Sequence, residues 1–222
     1  MLRLASPPIS RSSITTTRRK LLATGAAAAA ALALPALPGR TWAQARLLQP
    51  TPSQTEGPFY PLVLPVDSDF DLLRNNGATY SHGQPAWVEG TVRDTAGRPV
   101  SGAVVEIWQC DHAGHYHHPG DGGRADPAFQ GFGRVAVGPD GRYRFRTLRP
   151  AAYAGRTPHI HVKVRLDRKD LLTTQLYVAG DPGNERDFLW RRLSEDGRAA
   201  LTAPFTAASD GLQARFPLIV QA

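Results

Sequence analysis

Residues 159–166 read HIHVKVRL, an alternation of polar and aliphatic side chains that is typical of a β-strand. Successive side chains of a strand point to opposite faces, so His159 and His161 share one face while Ile160 and Val162 share the other. The aliphatic face predicts a strand packed against a core. The opposite face places two imidazoles side by side.

Short runs of the same kind recur along the chain, and turn residues separate them. They occupy residues 87–92, 103–108, 133–137, 143–148, 173–178 and 212–220. The sequences Asp94-Thr95-Ala96-Gly97 and Pro139-Asp140-Gly141 tolerate tight reversals. This spacing predicts an all-β fold, an antiparallel β-sandwich. Only residues 185–194 show near-helical spacing, so little helix is expected.

The composition predicts two parts after residue 45. Residues 46–81 are rich in Pro, Gly, Asn and Asp, which predicts an extended N-terminal arm. Residues 82–222 contain all the strand-like runs and no internal repeat, which predicts a single β-sandwich domain.

Residues 1–45 have the pattern of an export signal. Arg18-Arg19-Lys20 precede an Ala/Leu run, and Ala43-Gln44-Ala45 offers a small-residue cleavage site. The paired arginines resemble a twin-arginine signal, which predicts transient contact with the twin-arginine export machinery and a periplasmic or secreted protein. A membrane anchor is the alternative. The apolar run is shorter than the roughly 20 residues of a spanning helix, so no stable membrane insertion is expected.

Most of the positive charge lies in this leader. Of 26 Lys and Arg residues, six precede Arg46, whereas all 19 Asp and Glu residues follow it. The remainder therefore has 20 basic and 19 acidic residues. Binding to nucleic acid needs a basic face, so this class of function is not expected. Cys110 is the only cysteine, which excludes an intrachain disulfide, and we expect it to be a packed side chain rather than a nucleophile.

Tyrosine and arginine residues lie close to the two histidines in the sequence. Arg156 and Tyr153 shortly precede His159, and Tyr116 follows Trp108-Gln109 in a Gly-rich turn. Two imidazoles side by side on a rigid strand form half of a metal site, and the nearby tyrosines and arginine favour that interpretation. Ordinary roles are the alternative for each residue: paired strand histidines, an exposed turn tyrosine, a core-edge tyrosine and a solvated arginine.

The ordered set of motifs resembles the intradiol ring-cleavage dioxygenase family over about residues 55–187. The motifs are Gly57-Pro58-Phe59-Tyr60, the hairpin of residues 92–103, Trp108-Gln109 through Tyr116, and the stretches 126–131, 141–147 and 153–161. The resemblance implies an all-β sandwich of the intradiol dioxygenase type, with residues 82–222 as its catalytic domain.

The resemblance further implies a non-haem Fe(III) held by two tyrosinates, two histidines and a hydroxide. By position the protein ligands are Tyr116, Tyr153, His159 and His161. The implied reaction uses dioxygen to cleave a catechol-type ring between its two hydroxylated carbons, which gives a muconate-type diacid. Tyr153 is also expected to accept a catechol proton, and Arg156 to stabilise negative charge on the substrate. Gln175 resembles a glutamine near the family's site, although a solvent-facing strand position would explain it too.

Other interpretations stay open at this point. A secreted transthyretin-like binding module shares the hairpin of residues 97–103, but it has no need for the tyrosines and histidines together. A zinc hydrolase with the same two histidines would need a carboxylate or a third histidine. The histidines around Tyr116, which are His112, His115, His117 and His118, are either solvated loop residues, the favoured interpretation, or a second metal-binding patch. The sequence leaves open the particular catechol and the oligomeric state.

Overall fold

The computed structural model describes residues 47–222, and the predicted export signal of residues 1–45 lies outside this range. The strands of the described part are β1 Arg74–Asn75, β2 Ala78–Thr79, β3 Pro85–Asp94, β4 Val104–Trp108, β5 Phe132–Ala136, β6 Arg142–Leu148, β7 His159–Leu166, β8 Lys169–Val178, β9 Thr202–Ala203, β10 Thr206–Ala208, β11 Gly211–Arg215 and β12 Leu218–Val220. The helices are α1 Phe188–Arg191 and α2 Glu195–Leu201, with 3₁₀ turns at Pro119–Asp121 and Asn184–Arg186.

The strands form two five-stranded sheets and a small β1–β2 hairpin. One sheet has the order β10-β11-β3-β12, with β6 on the other edge of β3, and the second has the order β5-β4-β7-β8-β9. The predicted all-β sandwich with little helix is confirmed. The segment predicted as an extended arm, residues 46–81, also contains the β1–β2 hairpin. Not every pair is antiparallel, however, because β11 and β12 run parallel to β3 and β9 runs parallel to β8.

Two sequence predictions differ from the structure in more than their end residues. The run 212–220 is two strands, because Pro217 has no N–H for a ladder and separates β11 from β12. The predicted helix 185–194 is a 3₁₀ turn followed by the four-residue α1, and α2 was not predicted at all. Asp187 and Ser194 each cap the N-terminus of a new helix, which breaks the segment into short pieces.

The two faces of β7 have different surroundings, as the alternation predicts. Ile160, Val162 and Val164 are buried in the main core, which also contains Val88 of β3 and Phe145 of β6. The opposite face presents His159 and His161 to a smaller aromatic cluster built around Trp108, Tyr116 and Phe132. The sandwich core therefore holds β7 rigidly behind the two imidazoles.

The segment before β1 lies along both sheets. Thr51 N donates to the carbonyl of Ile219 in β12 at 2.9 Å, and Gln54 N donates to that of Thr173 in β8 at 2.8 Å. These bonds bring residues 55–60 across the histidine face of β7. No helix within residues 47–222 has the length and apolar character needed to cross a membrane.

Candidate metal centre

Four side chains that the sequence singles out as ligands come together at one end of β7. His159 Nε2 lies 3.2 Å from His161 Nε2 and 3.4 Å from Tyr153 Oη. The ring of Tyr116 is 4.9 Å from that of Tyr153 and 6.2 Å from that of His161, measured between centroids. The loop after β4, the turn before β7 and β7 itself thus supply side chains to one centre.

Hydrogen bonding fixes the tautomer of His159. Its Nδ1 lies 2.6 Å from the carbonyl oxygen of Thr157, which can only accept, so Nδ1 carries the proton and Nε2 presents a lone pair to the centre. Burial lowers the pKa of His159 to about 3, and the charge of Arg156 adds to this effect. The imidazole is therefore neutral, as a metal ligand must be.

Packing rather than hydrogen bonding orients His161. Its Nδ1 is buried and has no hydrogen-bond partner among the described residues. Instead the ring lies on that of Trp108, with 4.8 Å between centroids and 9° between planes. On another side, Gly57 has a φ of 73°, and a Cβ added there would lie 3.2 Å from His161 Cε1, so a side chain at this position would be strained and would press on the imidazole.

Tyr116 is a buried phenol without a hydrogen-bond partner. It is 2% exposed, and its Oη makes no hydrogen bond within residues 47–222. Burial raises its pKa well above the usual value, and the neighbouring phenol of Tyr153 adds to the rise. The ring stacks on Phe59 at 4.6 Å, and the Tyr116 backbone N–H donates to Asp121. The exposed turn tyrosine considered as an alternative is therefore wrong.

A tight turn pairs Tyr153 with Arg156. Arg156 N donates to the carbonyl of Tyr153 at 2.7 Å, and the central residues Ala154 and Gly155 have φ values of 43° and 78°. Positive φ at both central positions is the requirement of a type I′ turn. Burial raises the pKa of Tyr153, whereas its contacts with Tyr116 and Arg156 act in the opposite direction.

Arg156 and Gln175 are not solvated, so the ordinary alternatives for both are wrong. Arg156 Nε donates to Asp187 Oδ2 at 2.6 Å, and Nη2 donates to Gln175 Oε1 at 2.7 Å. Gln175 is fully buried on β8, and its Nε2 donates to the Thr55 carbonyl. Burial alone would raise the pKa of Asp187, but hydrogen bonds from Arg156 and from two backbone amides hold it below the usual value.

The donor set fits a strongly positive metal ion. Two phenols with raised pKa values, the buried Tyr116 and the half-buried Tyr153, ionise at neutral pH only next to such a charge. Two neutral imidazoles complete a mixed nitrogen and oxygen shell. Among residues 47–222 no group of three or more His, Cys, Asp and Glu side chains could hold a metal, so a zinc-hydrolase arrangement is not found there.

The histidines around Tyr116 do not share a centre, so the interpretation as loop residues is favoured over a second metal patch. His112 Nδ1 lies 2.5 Å from the Tyr80 hydroxyl, and His115 Nδ1 lies 3.4 Å from Asp121. His117 Nε2 contacts the Asp126 carbonyl, and His118 Nδ1 accepts from Gly120 N. Each ring lies next to a different local group, so the four rings do not converge on one point.

Sequence reasoning missed three residues of the site. Asp187 was not considered, although an Asp before Phe188-Leu189-Trp190 is a helix N-cap signal. Trp108 and Phe59 stand inside the quoted motifs, but their stacking on His161 and Tyr116 has no signature in sequence spacing. As expected, Cys110 is a buried packed side chain, and burial raises its pKa to about 12.

Fold and centre define a β-sandwich with two phenols and two imidazoles around one point. The chain belongs to the intradiol ring-cleavage dioxygenases: the model of the family described as Dioxygenase matches residues 55–218. The protocatechuate 3,4-dioxygenase beta chain of Burkholderia cepacia is 38% identical over 151 residues, which cover 62% of this chain and 63% of that one. Catechol 1,2-dioxygenase 1 of Acinetobacter lwoffii is 32% identical over 182 residues, which cover 72% and 55%.

A solved structure gives a closer match in length. The dioxygenase domain of a dioxygenase and carbohydrate-binding fusion protein from the cellulolytic bacterium Streptomyces sp. SirexAA-E has a TM-score of 0.63 and 32% identity. The match covers 78% of this chain and 99% of that domain. By contrast, the chain spans only about half to two thirds of the curated relatives described above.

Proposed function

We propose that this protein is an exported dioxygenase that binds one non-haem Fe(III) and cleaves catechol-type rings between the two hydroxylated carbons. Tyr116, Tyr153, His159 and His161 would hold the iron. The observation that supports this most is the meeting of one buried phenol, one half-buried phenol and two neutral imidazoles, with no hydrogen-bond partner for the Tyr116 hydroxyl among residues 47–222. Membership of the intradiol family supports the reaction class.

When bound, ferric iron would supply Lewis-acid chemistry to a catechol and would make its ring reactive toward dioxygen. The protein residues then have separate tasks. Tyr153, which is less buried than Tyr116, accepts a catechol proton at Oη. Arg156, whose guanidinium stays charged at any working pH, stabilises negative charge on the substrate. Gln175 holds Arg156 in place through the 2.7 Å hydrogen bond. The aromatic walls of Phe59 and Trp108 exclude water.

Oxygen uptake tests this activity. Metal-depleted protein is reloaded with Fe(III) or, as a control, Zn(II), and is offered catechol, protocatechuate and hydroxyquinol. We expect turnover only with iron, and mass spectrometry should identify muconate-type diacids. An extradiol semialdehyde product, or equal activity with zinc, would contradict the proposal.

Visible absorption tests the ligands separately from turnover. Tyrosinate ligation to Fe(III) should give the iron-loaded protein a reddish charge-transfer band. Tyr116→Phe should weaken and shift this band and remove most activity. Tyr143→Phe is the matched control, because Tyr143 is a buried phenol on β6, in the sheet that does not contain β7, and donates to the Phe216 carbonyl. If Tyr116→Phe leaves the band unchanged, Tyr116 is not a ligand.

We also propose that twin-arginine export delivers the folded protein to the periplasm or beyond, since the leader contains Arg18-Arg19 before its apolar run. Replacing both arginines by lysine should retain the full-length precursor in the cytoplasm of a bacterial host that has this pathway. Fractionation and immunoblotting measure the distribution. Unchanged export, or equal export from a host that lacks the pathway, would contradict it.

A further inference from the structure

Asp187 is a buried carboxylate that backbone amides hold from two sides. Its Oδ1 accepts from Leu189 N at 3.0 Å and from Trp190 N at 3.1 Å, which caps α1. Its Oδ2 accepts from Thr157 N at 3.1 Å. The side chain is fully buried, so water does not compete for these bonds. The position of the carboxylate is therefore set by the backbone on either side of it, independently of Arg156.

Arg156 is held against this fixed carboxylate. Its Nε donates to Asp187 Oδ2 at 2.6 Å, and its Nη2 lies 3.5 Å from Oδ1 and 2.7 Å from Gln175 Oε1. A guanidinium is planar and rigid, so fixing Nε and Nη2 also fixes the direction of Nη1. Nη1 makes no hydrogen bond within residues 47–222, and the Arg156 side chain is 12% exposed. One pair of N–H donors thus stays free.

The same carboxylate is connected to the metal centre through a single residue. Thr157 donates its N–H to Asp187, and its carbonyl accepts from His159 Nδ1 at 2.6 Å. The type I′ turn joins Arg156 to Tyr153 in the other direction along the chain. The free donors of Arg156 are thereby fixed relative to both His159 and Tyr153.

We propose that Asp187 is a positioning residue that acts through Arg156. It aims Nη1 at the negative charge that develops on the catechol-derived substrate, so the inference rests on the function proposed above. Such alignment raises the reaction rate only if Nη1 is placed accurately, since a misplacement on the order of 1 Å can cost about 100-fold in rate.

Asp187→Asn in the iron-loaded full chain tests the proposal. The amide oxygen can still cap α1, but the amide nitrogen that replaces Oδ2 then faces two other donors, Arg156 Nε and the Thr157 N–H. We expect kcat to fall by about 10- to 100-fold, with KM little changed and the tyrosinate band retained. Ser194→Ala is the matched control, because it removes the cap of α2 at Gly197 N without touching Arg156. It should lower Tm while leaving kcat unchanged.

A double-mutant cycle separates positioning from a purely structural effect. If Asp187 acts through Arg156, adding Asp187→Asn to an Arg156→Gln protein should change kcat by less than about 3-fold, whereas independent effects would multiply. Should Asp187→Asn fail to fold, Asp187→Ser keeps a favoured capping residue and replaces it in the cycle. If the effects of the two substitutions on kcat multiply, or if folded Asp187→Asn keeps the wild-type kcat, the positioning role of Asp187 is overturned. The proposed function would not be affected by either result. If the iron-loaded wild type cleaves no catechol, the proposed function fails and this inference fails with it.

Discussion

Removing the hydroxyl of Tyr116 should have opposite effects on stability with and without iron. In metal-free protein the Oη is buried and has no hydrogen-bond partner among residues 47–222. A buried polar group left unsatisfied costs about 1–3 kcal/mol. The ring itself stays stacked on Phe59 after replacement by Phe. We therefore expect Tyr116→Phe to stabilise the metal-free protein by about 1–3 kcal/mol.

Tyr143→Phe is the control for the sign of this effect. Tyr143 is equally buried in the sandwich core, but its Oη donates to the Phe216 carbonyl at 2.5 Å. Removing that donor leaves the carbonyl unpaired and should destabilise the protein by about 1–3 kcal/mol. For a chain of this size each kcal/mol corresponds to about 2–4 °C in Tm, so scanning calorimetry resolves the two variants.

Iron should reverse the result for Tyr116. A ligand that binds only the native state raises stability in proportion to the logarithm of its concentration over Kd. Loss of a phenolate weakens Kd, so Tyr116→Phe should be less stable than wild type once both are iron-loaded. The reasoning is refuted if metal-free Tyr116→Phe is destabilised as much as Tyr143→Phe, or if iron raises the Tm of both proteins equally.

Three further outcomes can be measured. Gly57→Ala should change the tyrosinate band, because the added Cβ contacts His161. Gly123→Ala is the control: its φ is similarly positive but no atom lies near the added Cβ, so it should only lower stability by about 1–2 kcal/mol. Equal spectra of the two variants would contradict the contact. Cys110, whose pKa burial raises to about 12, should resist alkylation at pH 8 until the protein is unfolded; mass spectrometry of native protein would reveal any early labelling. The lowered pKa of Asp187 stabilises the fold at pH values above the usual carboxyl pKa of about 4, and this stabilisation is lost as pH falls through the native pKa. The stability of Asp187→Asn in acid unfolding should therefore depend less on pH than that of wild type. Parallel curves of stability against pH would contradict this.

The sequence predicted the strands well because their two faces have different surroundings. The strand predicted at residues 159–166 has the same bounds in the structure, since its aliphatic residues all face the core. The run 212–220 was wrong in one respect, because alternation continues on both sides of Pro217 although the backbone ladder does not. The parallel pairing of β11 and β12 with β3 depends on contacts distant in sequence, and no local pattern encodes it.

The centre was predictable in its residue types but not in its supports. Tyr116, Tyr153, His159 and His161 belong to motifs with fixed order, and the structure brings them together. The groups that orient these four side chains give no comparable signal in the sequence. Trp108 acts through ring stacking, and Asp187 follows Arg156 by 31 residues, so only the folded chain reveals these partners. The assignment of the four ligands stays a prediction until metal is measured.

The two-residue tip at Ala154-Gly155 restricts how this protein can vary. A type I′ turn fixes the pairing of its flanking residues, and one inserted or deleted residue would shift that pairing. Since Tyr153 and Arg156 flank the tip, a change in loop length would separate a phenol from its neighbouring cation even if both were kept. Engineering at this turn is therefore best limited to substitutions, because a grafted loop would separate Tyr153 from Arg156.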